Sequence, residues 1–240
     1  MNQEEAMLLG TMLGDGCLCR CRTRHGIRNY VVVSGHIKDD NEFLTKLIKP
    51  TMFKLFNKTA RERRQPDHGK LDIIIQSKEL LNYMSNEWGL PIGKCRNRKI
   101  KEEFLKHSIL MKSIVGGFFA TDGSLVITDN NGIIYPRIEF QNISKTLLEQ
   151  VQHFLSKKVG LKGGGLYKMI REHSIVYRLQ YNGKENLLKF SREIGFVNPK
   201  NKRKFNGFID NSRGSLAWLE HRKSLYNAHK LMSFDEKMIK

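Results

Sequence analysis

Two nine-residue stretches of this chain, LLGTMLGDG at residues 8–16 and VGGFFATDG at residues 115–123, follow the same pattern. Each is an apolar segment of helical character that contains glycine and ends in Asp-Gly, and the two aspartates are separated by 107 positions. Glycine inside a helix is less favourable than alanine by about 1 kcal/mol. A locally unfavourable pattern that occurs twice indicates that another segment packs closely against both helices.

The similarity continues downstream, which indicates an internal duplication over most of the chain. HIKDDNEFLTKLIKPTMFKLF (36–56) matches NISKTLLEQVQHFLSKKVG (142–160), and LDIIIQSKELLNYMSNEWGL (71–90) matches YRLQYNGKENLLKFSREIGF (177–196). Each copy has an apolar helix, two strands, an amphipathic helix, two more strands and a short helix. The predicted fold class is α+β, with two pseudo-symmetric αββαββα units that each form a curved antiparallel sheet.

The duplication also sets the expected domain boundaries. We expect a first unit over residues 1–106, a second unit over residues 107–212, and a basic helical extension over residues 213–240 that has no counterpart in the first copy. In the second unit, the first two strands are expected to turn at Asn131-Gly132. The apolar stripe of the extension is predicted to consist of Leu216, Leu219, Leu225 and Leu231.

Small residues recur every four positions along both apolar helices. They are Ala6, Gly10 and Gly14 in the first helix and Ser113, Gly117 and Thr121 in the second. Residues four apart share one helix face, so each helix has a stripe along which another backbone can approach. We expect the two helices to pack stripe to stripe about a pseudo-two-fold axis at the centre of the molecule. Asp15 and Asp122 then meet at the same end of the pair.

The predicted meeting point of the two aspartates is a candidate site for a hard divalent cation. A helix C-terminus presents unpaired carbonyls and the negative end of the dipole, so two carboxylates placed there repel each other and their surroundings. Mg²⁺ takes oxygen ligands and commonly combines one or two carboxylates with substrate phosphates. A single Asp-Gly would indicate only the end of a helix and a turn. Gly16 and Gly123 are expected to let the chain leave each helix. Two convergent copies favour the metal site.

The charge balance points to an anionic partner. Lys and Arg number 42 against 24 Asp and Glu, which gives a net charge of +18. A protein this basic usually meets a polyanion, with nucleic acid the first candidate. An anionic membrane surface is a second candidate, but no signal peptide, long apolar run or lipidation motif supports it. Solubility alone is the remaining explanation of the charge.

The four cysteines indicate an intracellular, reducing compartment, such as the cytoplasm or an organelle matrix, rather than secretion. They are Cys17, Cys19, Cys21 and Cys95, and the first three alternate along a predicted strand. Thiolates about 6.6 Å apart on one strand face cannot surround a zinc ion tetrahedrally. We interpret them as small apolar strand residues.

Each predicted sheet has one face for the helices and one free face, and basic residues are frequent on its strands and turns. A basic β-surface can enter the DNA major groove, and strands of about seven residues span roughly 23 Å. Two such sheets would cover at least about 14 base pairs at about 3.4 Å per step, and non-identical halves imply a non-palindromic target. Alternation in CLCRCR (17–22) leaves open whether cysteines or arginines face DNA. The candidate DNA-binding residues are Arg20, Arg22, Arg24, Arg28, Lys38, Arg61, Arg63, Arg64, Lys168, Arg171, Arg178 and Gln180.

With its two Asp-Gly helices, its duplication and its basic charge, the chain resembles the LAGLIDADG homing endonucleases in their single-chain, two-motif form. The resemblance covers about residues 6–205. Neither copy has Asp at the sixth motif position, where Leu13 and Ala120 stand, but that position varies in the family. The resemblance implies two sheets that form a DNA-binding saddle around the central helices. It also implies a monomer that cuts both strands of double-stranded DNA in a divalent-metal-dependent reaction, as in intron homing.

The resemblance further implies a set of site residues. Metal ligands would be the Asp15 and Asp122 side chains and the Gly14 and Thr121 carbonyls. Two or more Mg²⁺ ions are expected, with Mn²⁺ able to substitute and Ca²⁺ able to bind without cleavage. By position, Lys94, Lys200 and Gln141 are further catalytic candidates, although the first copy has Gly35 where Gln141 is aligned. A maturase that binds intron RNA, or a non-cleaving DNA-binding protein of the same fold, is the alternative; binding alone does not require the aspartate pair.

Overall fold

The computed structural model describes residues 1–130, 133–172 and 174–211, and it contains two four-stranded antiparallel sheets. The turn predicted at Asn131-Gly132 and the extension predicted over residues 213–240, with its leucine stripe, lie outside the described residues. The chain divides into a compact unit Met1–Asn201, which holds both sheets, and a second unit Lys202–Lys240. The boundaries predicted after residues 106 and 212 stay a prediction.

The first copy contains four strands and the helices that cover one side of them. The elements are α1 (Gln3–Asp15), β1 (Gly16–Thr23), β2 (Gly26–His36), α2 (Asn41–Phe43), a π-helical segment (Leu44–Ile48), α3 (Lys49–Phe56), β3 (Arg61–Gln65), β4 (Lys70–Gln76) and α4 (Lys78–Asn86). Helix α1 begins with a reciprocal cap, in which the Asn2 side chain accepts from the Glu5 amide and the Glu5 carboxylate accepts from the Asn2 amide.

The second copy repeats this order after a short linker helix. The elements are α5 (Glu102–Leu105), α6 (Ser108–Asp122), β5 (Gly123–Asn130), β6 (Ile133–Asn142), α7 (Lys145–Phe154), a π-helical segment (Leu155–Val159), β7 (Gly165–Arg171), β8 (Ser174–Asn182), α8 (Lys184–Glu193) and α9 (Pro199–Asn211).

The two sheets have the same topology, which confirms the predicted fold class. Their strand orders are β1-β2-β4-β3 and β5-β6-β8-β7, with every neighbouring pair antiparallel. The register also repeats, because Gly16 pairs with Val33 in the first sheet and Gly123 pairs with Phe140 in the second.

Helices α1 and α6 pack directly against each other, as the small-residue stripes predict. A Cβ added to Gly10 would overlap the carbonyl of Ile114, and a Cβ added to Gly117 would overlap the carbonyl of Met7. The two backbones therefore approach so closely that only glycine fits at these two positions. The opposite faces of the helices enter the cores of their own halves, where Met12 and Phe119 are each 1% exposed.

At the glycines that follow the two helices the chain leaves each helix for a strand, as the sequence predicts. Gly16 and Gly123 have extended backbones, with φ of −87° and −98°, so neither is a left-handed helix cap. Glycine is required for space instead, since a Cβ would overlap the backbone of Met12 in one copy and of Phe119 in the other. Each helix thus passes straight into the first strand of its sheet.

Candidate catalytic site and nucleic-acid interface

Asp15 and Asp122 are the last residues of α1 and α6, and the helix packing brings their side chains together. A Cβ built on Gly14 would lie 3.3 Å from Cγ of Asp122, and it would overlap the hydroxyl of Thr121. The charge on Asp15 also acts on Asp122. The two carboxyl groups therefore share one region at the junction of the two halves.

Both carboxyl groups ionise less readily than ordinary aspartates. Burial, followed by the charge of Asp15, raises the pKa of Asp122 to about 7. Burial, followed by the charge of Asp40, raises the pKa of Asp15 to about 6, although Lys200 and Arg98 oppose the rise. Near neutral pH the pair therefore holds negative charge that the surrounding protein only partly compensates.

The Asp15 end of the site contains a third carboxylate, Asp40, which precedes α2. One of its oxygens accepts from the Lys200 ammonium at 2.6 Å and from the Asn198 amide at 2.9 Å, and the other accepts from the His36 backbone amide at 2.9 Å. Burial alone would raise the pKa of Asp40, but these hydrogen bonds and the Lys200 charge lower it. Asp40 is therefore an anion that holds Lys200 beside Asp15.

The Asp122 end has neutral hydrogen-bonding groups in place of that ion pair. The Asn142 amide donates to a carboxylate oxygen of Asp122, and its carbonyl accepts from the Ser144 amide at 2.7 Å. Ser144 precedes α7 as Asp40 precedes α2, and its hydroxyl donates to the Arg98 carbonyl at 2.6 Å. The two ends are thus alike in backbone position and different in charge.

The loops after α4 and α8 each cap one central helix and also reach the opposite half. Arg98 donates to the carbonyls of Leu13 at 2.9 Å and of Gly14 at 3.0 Å, and its charge lowers the pKa of both Asp15 and Asp122. Asn198 donates to the carbonyl of Ala120 at 2.9 Å while it also binds Asp40. One helix end is capped by a guanidinium and the other by an amide.

The three further catalytic candidates occupy different surroundings. Lys200 lies beside Asp15 in the ion pair with Asp40, whereas Lys94 is exposed and makes no hydrogen bond or ion pair with any residue that the structure describes. Gln141 accepts from Arg171 at 3.0 Å, and Asn142 rather than Gln141 contacts Asp122. The catalytic roles of these residues stay predictions.

The sheet register corrects one detail of the alignment between the copies. Since Val33 pairs with Gly16 and Phe140 pairs with Gly123, the residue equivalent to Gln141 is Ser34 and not Gly35. An offset of 106 pairs Gln141 with Gly35, which is one position too far along. The first helix and first two strands of the two copies are related by an offset of 107.

Sequence reasoning missed Asp40, Arg98, Asn142 and Asn198 as parts of the site. Asp40 stands at a helix N-terminus, where an acid is favoured by the helix dipole alone, yet the structure turns its side chain toward Lys200. One signal was available, because Asp40 and Ser144 both immediately precede the amphipathic helix of their copy. Arg98 and Asn198 carry no such signal, since their contacts depend on the path of a loop.

Strand alternation resolves which side of each sheet is free. In β1, Leu18 is buried and Arg20 on the same face donates to Asn29 and Asn82, which places both on the helix side. Cys17, Cys19 and Cys21 therefore lie on the opposite face. In β5, Leu125 and Ile127 are buried on the helix side, as expected from the sequence. We call the face opposite the helices the free face of each sheet.

The free faces contain polar, aromatic and basic residues from all four strands. By register, the first comprises Cys17, Cys19, Cys21, Arg28, Tyr30, Val32, Ser34, Arg61, Arg63, Asp72, Ile74 and Gln76. The second comprises Ser124, Val126, Thr128, Tyr135, Arg137, Glu139, Gln141, Tyr167, Met169, Arg171, Arg178, Gln180 and Asn182.

The predicted DNA-binding residues divide among three locations. Those on the free faces are Arg28, Arg61, Arg63, Arg171, Arg178 and Gln180. Those on the helix side are Arg20, Arg22, Arg64 and Lys168, because they alternate with the free-face residues. Arg24 and Lys38 lie in the turns that follow β1 and β2.

The cysteines of β1 are all free thiols, and two of them are in contact. The Sγ atoms of Cys19 and Cys21 are 3.1 Å apart, and this hydrogen bond, followed by burial, raises the pKa of Cys19 to about 11. Among the described residues, no group of three or more His, Cys, Asp or Glu side chains is arranged to hold a metal ion. Across residues 1–130, 133–172 and 174–211, no helix has both the length and the apolar character that crossing a membrane requires.

Comparison with known proteins agrees with the sequence resemblance. Residues 111–195 match the family model described as a LAGLIDADG-like domain. No curated protein sequence matches the chain. Three similar solved structures are those of I-DmoI, I-AabMI and I-GzeII.

I-DmoI, in a complex with DNA and Mn, is 20% identical, covers 80% of this chain and 96% of its own, and has a TM-score of 0.58. The meganuclease I-AabMI, bound to uncleaved DNA, is 15% identical, with 89% and 92% of the two chains covered and a TM-score of 0.57. The homing endonuclease I-GzeII, in complex with its DNA target, is 11% identical, with 93% and 95% covered and a TM-score of 0.58.

None of these findings supports the intron RNA considered above as a second partner. The sequence match is confined to the second copy, while the structural matches extend over both copies. Residues 111–195 therefore match a LAGLIDADG-like domain, and over both halves the chain has the fold of the single-chain LAGLIDADG homing endonucleases.

Proposed function

We propose that this protein is a site-specific DNA endonuclease that makes a divalent-metal-dependent double-strand break in a long, non-palindromic target. The observation that carries the proposal is the pair of carboxyl groups, Asp15 and Asp122, whose shared region holds charge that nearby residues only partly neutralise. Binding to DNA alone gives no reason to place two mutually repelling carboxylates there.

The chemistry of the donor set fits a hard divalent cation. The two carboxylates supply oxygen ligands, and a bound cation would stabilise their charged forms, which burial and then a neighbouring carboxylate disfavour. The carbonyls of Gly14 and Thr121 belong to the residues that precede the two aspartates, and that of Gly14 already accepts from Arg98. Since the third acid of the site, Asp40, is bound to Lys200 and Asn198, phosphate oxygens of DNA and water would complete the coordination. I-DmoI has been crystallised with DNA and Mn and with DNA and Ca.

Mg²⁺ in such a site stabilises charge on the attacking and leaving oxygens of a phosphodiester. The protein's own residues supply the remaining functions. Lys200, held by Asp40, places a positive charge next to Asp15, where it can contact a phosphate or hold a proton. Arg98 neutralises the carbonyls at the end of α1 and keeps them from repelling the DNA backbone.

The free faces support double-stranded DNA as the substrate. Six arginines lie on them within the part of the chain that the structure describes, and a β-surface of this kind fits the major groove. The two faces differ in almost every residue, so the two half-sites would differ in sequence. A monomer with two unlike sheets recognises a non-palindromic site.

The proposal is tested with the full chain and a genomic or randomised DNA library, from which cleaved sequences are selected in Mg²⁺. The selected site is then assayed with Asp15→Asn and Asp122→Asn, and with Asp67→Asn as the control, an exposed aspartate in the β3–β4 turn. We expect either site variant to lose double-strand cleavage and to retain binding in Ca²⁺, while the control cleaves normally. A site variant that cuts at the normal rate in Mg²⁺ would refute the assignment.

A further inference from the structure

Each arginine on the described part of the free faces is held by another side chain of the same face. The six are Arg28, Arg61, Arg63, Arg137, Arg171 and Arg178. Two donate to glutamines, two lie over tyrosine rings with 5.9 Å to the centroid, and two are paired with carboxylates. The carboxylates are the unexpected partners, because a surface that meets a polyanion gains nothing from negative charge.

The first of these acids is Asp72, at the centre of the first free face and fully buried. Arg63 donates to one of its oxygens through Nε at 3.0 Å and through Nη2 at 2.6 Å, and Lys70 lies 3.1 Å from the other oxygen. That second oxygen also accepts from the Ser34 hydroxyl at 2.6 Å. Burial opposes ionisation, but these donors hold the pKa of Asp72 below its ordinary value. Asp72 is therefore a permanent anion with its acceptors occupied.

The second acid is Glu139, at the centre of the second free face and 5% exposed. Nε of Arg137 lies 2.5 Å from Oε1 of Glu139, and Nη1 of Arg178 lies 3.9 Å from the same oxygen. Arg178 also lies over the Tyr167 ring. The second sheet therefore repeats, with different residues, the arrangement of the first, in which one buried carboxylate collects two cations.

The geometry leaves one edge of each paired guanidinium available. Asp72 accepts from Nε and from one N–H of Nη2 of Arg63, whereas Glu139 lies against Nε of Arg137 as an ion pair without hydrogen-bond geometry. In both cases the outer edge, formed by Nη1 and the remaining N–H of Nη2, can point away from the sheet. That edge can donate two parallel hydrogen bonds to O6 and N7 of guanine, which is the commonest specific contact in the major groove. A guanidinium fixed in advance loses less conformational freedom on binding than a free one.

We propose that Asp72 and Glu139 are specificity-determining residues that position Arg63 and Arg137 to read guanine in the two half-sites. The inference rests on the proposed function, since it requires double-stranded DNA on the free faces. Neither acid touches the DNA in this account; each acts through its arginine. Their negative charge lowers the affinity for every DNA sequence, while the arginines that they position increase the difference in affinity between sequences.

The test is a binding selection with the full chain, in Ca²⁺, from a pool of double-stranded oligonucleotides with a randomised centre. The variants are Asp72→Asn and Glu139→Gln, and the control is Glu149→Gln, which removes the same charge from an exposed ion pair with Lys145 on α7. We expect each site variant to lose guanine preference at one or two positions by about five-fold or more, the lower limit for one bidentate pair. Binding to random-sequence DNA is expected to stay equal or to rise, and the control is expected to match the wild type.

A second measurement separates positioning from a structural role. Arg137→Lys keeps the charge and removes the two-pronged edge, so it should lose the same guanine preference as Glu139→Gln. The double variant Arg137→Lys/Glu139→Gln should lose no more guanine preference than either single variant, because the arginine and the glutamate act as one unit. Equal loss of affinity for every sequence, or unchanged guanine preference in both acid variants, would overturn the inference. Failure of the wild-type chain to bind any double-stranded DNA would instead overturn the proposed function.

Discussion

The two ends of the central helix pair show what duplication keeps and what it allows to change. Asp15 and Asp122 terminate equivalent helices, and each is followed by a strand that enters an equivalent sheet. Yet one aspartate lies next to the Asp40–Lys200 ion pair, and the other is hydrogen-bonded to the amide of Asn142.

The difference has a physical explanation. The glycines at the helix interface face backbone atoms that are the same whatever the sequence of the partner, so any larger residue there is excluded in both copies. The groups that surround the aspartates are side chains, and one set of side chains can be exchanged for another without moving the helices. The packing is therefore symmetric and the electrostatics are not.

The largest effect on stability is expected from substitutions in the symmetric packing of α1 against α6. Gly10→Val and Gly117→Val each force a branched side chain into a backbone carbonyl of the other helix, and no rotamer relieves the overlap. We expect each variant to lower the free energy of unfolding by at least about 3 kcal/mol. Urea unfolding followed by circular dichroism measures the loss, and the two values should be similar.

Gly116→Ala provides the matched control on the same helix. Its Cβ would meet Val197 at 3.4 Å and other atoms at ordinary contact distance, so the substitution fits. It should leave stability unchanged or raise it by up to about 1 kcal/mol, because alanine favours the helix. A well-tolerated Gly10→Val would contradict the close approach of α1 and α6.

A smaller effect on stability is expected from the carboxyl groups of Asp15 and Asp122, one at each end of the site. The pKa values of Asp15 and Asp122 are raised on folding, so the metal-free folded protein holds protons there that the unfolded chain has lost. The stability that these protons provide is present at low pH and is lost as pH rises through about 6 to 7. The loss amounts to a few kcal/mol, at about 1.4 kcal/mol for each unit of pKa.

Thermal unfolding at pH 5 and pH 8 measures this loss of stability with rising pH. Asp122→Asn should be more stable than the wild type at pH 8 without metal, and the difference should shrink at pH 5. Mg²⁺ should raise the wild-type Tm at pH 8 and have little effect at pH 5 or on the variant. Asp67→Asn, as the control, should follow the wild type, and a Mg²⁺ effect of equal size at both pH values would show that the ion acts elsewhere.

The smallest effect is expected from the asymmetric part, and it rests on the proposed endonuclease activity. Asp40→Asn removes the anion that holds Lys200, and it also removes a charge that raises the pKa of Asp15. We expect one DNA strand to be cut about 10-fold more slowly or worse, the loss typical of a residue that orients a neighbour in the site, so nicked DNA accumulates. Strand-specific end labels on the selected target measure both rates.

Ser144→Ala is the counterpart in the other half, where an uncharged hydroxyl is removed that donates to the Arg98 carbonyl and caps α7 at the Leu147 amide. It should change the two strand rates by similar small factors. Equal slowing of both strands by Asp40→Asn would mean that the ion pair serves the site as a whole and that the two ends do not act separately.

The sequence predicted the parts of this molecule that depend on periodicity and repetition. Helix and strand order, the sheet class and the contact between the two helices all follow from patterns that occur twice, and the glycine stripe indicates close approach without any further information. The two aspartates were found because each ends such a pattern.

The parts that could not be predicted depend on side-chain direction and loop path. Arg20 and Arg64 are basic strand residues like Arg28 and Arg61, but alternation turns them to the helix side, where they bind Asn82 and Asn41. Lys94 and Lys200 are aligned between the two copies of the sequence, yet Lys200 forms an ion pair with Asp40 while Lys94 forms none with any residue that the structure describes. Composition does not distinguish these cases, because a residue's charge does not indicate which neighbour the folded chain brings to it.

The crossing of the two loops restricts how such a protein can be recombined. The carbonyl of Arg98 in the first copy accepts from Ser144 of the second, while Asn198 and Lys200 of the second copy bind Asp40 of the first. A hybrid that joins one half of this chain to half of a relative inherits only one member of each pair. A productive hybrid must therefore keep both members of each contact together. The β2–α2 turn of one half has to be exchanged along with the loop of the other half that binds it.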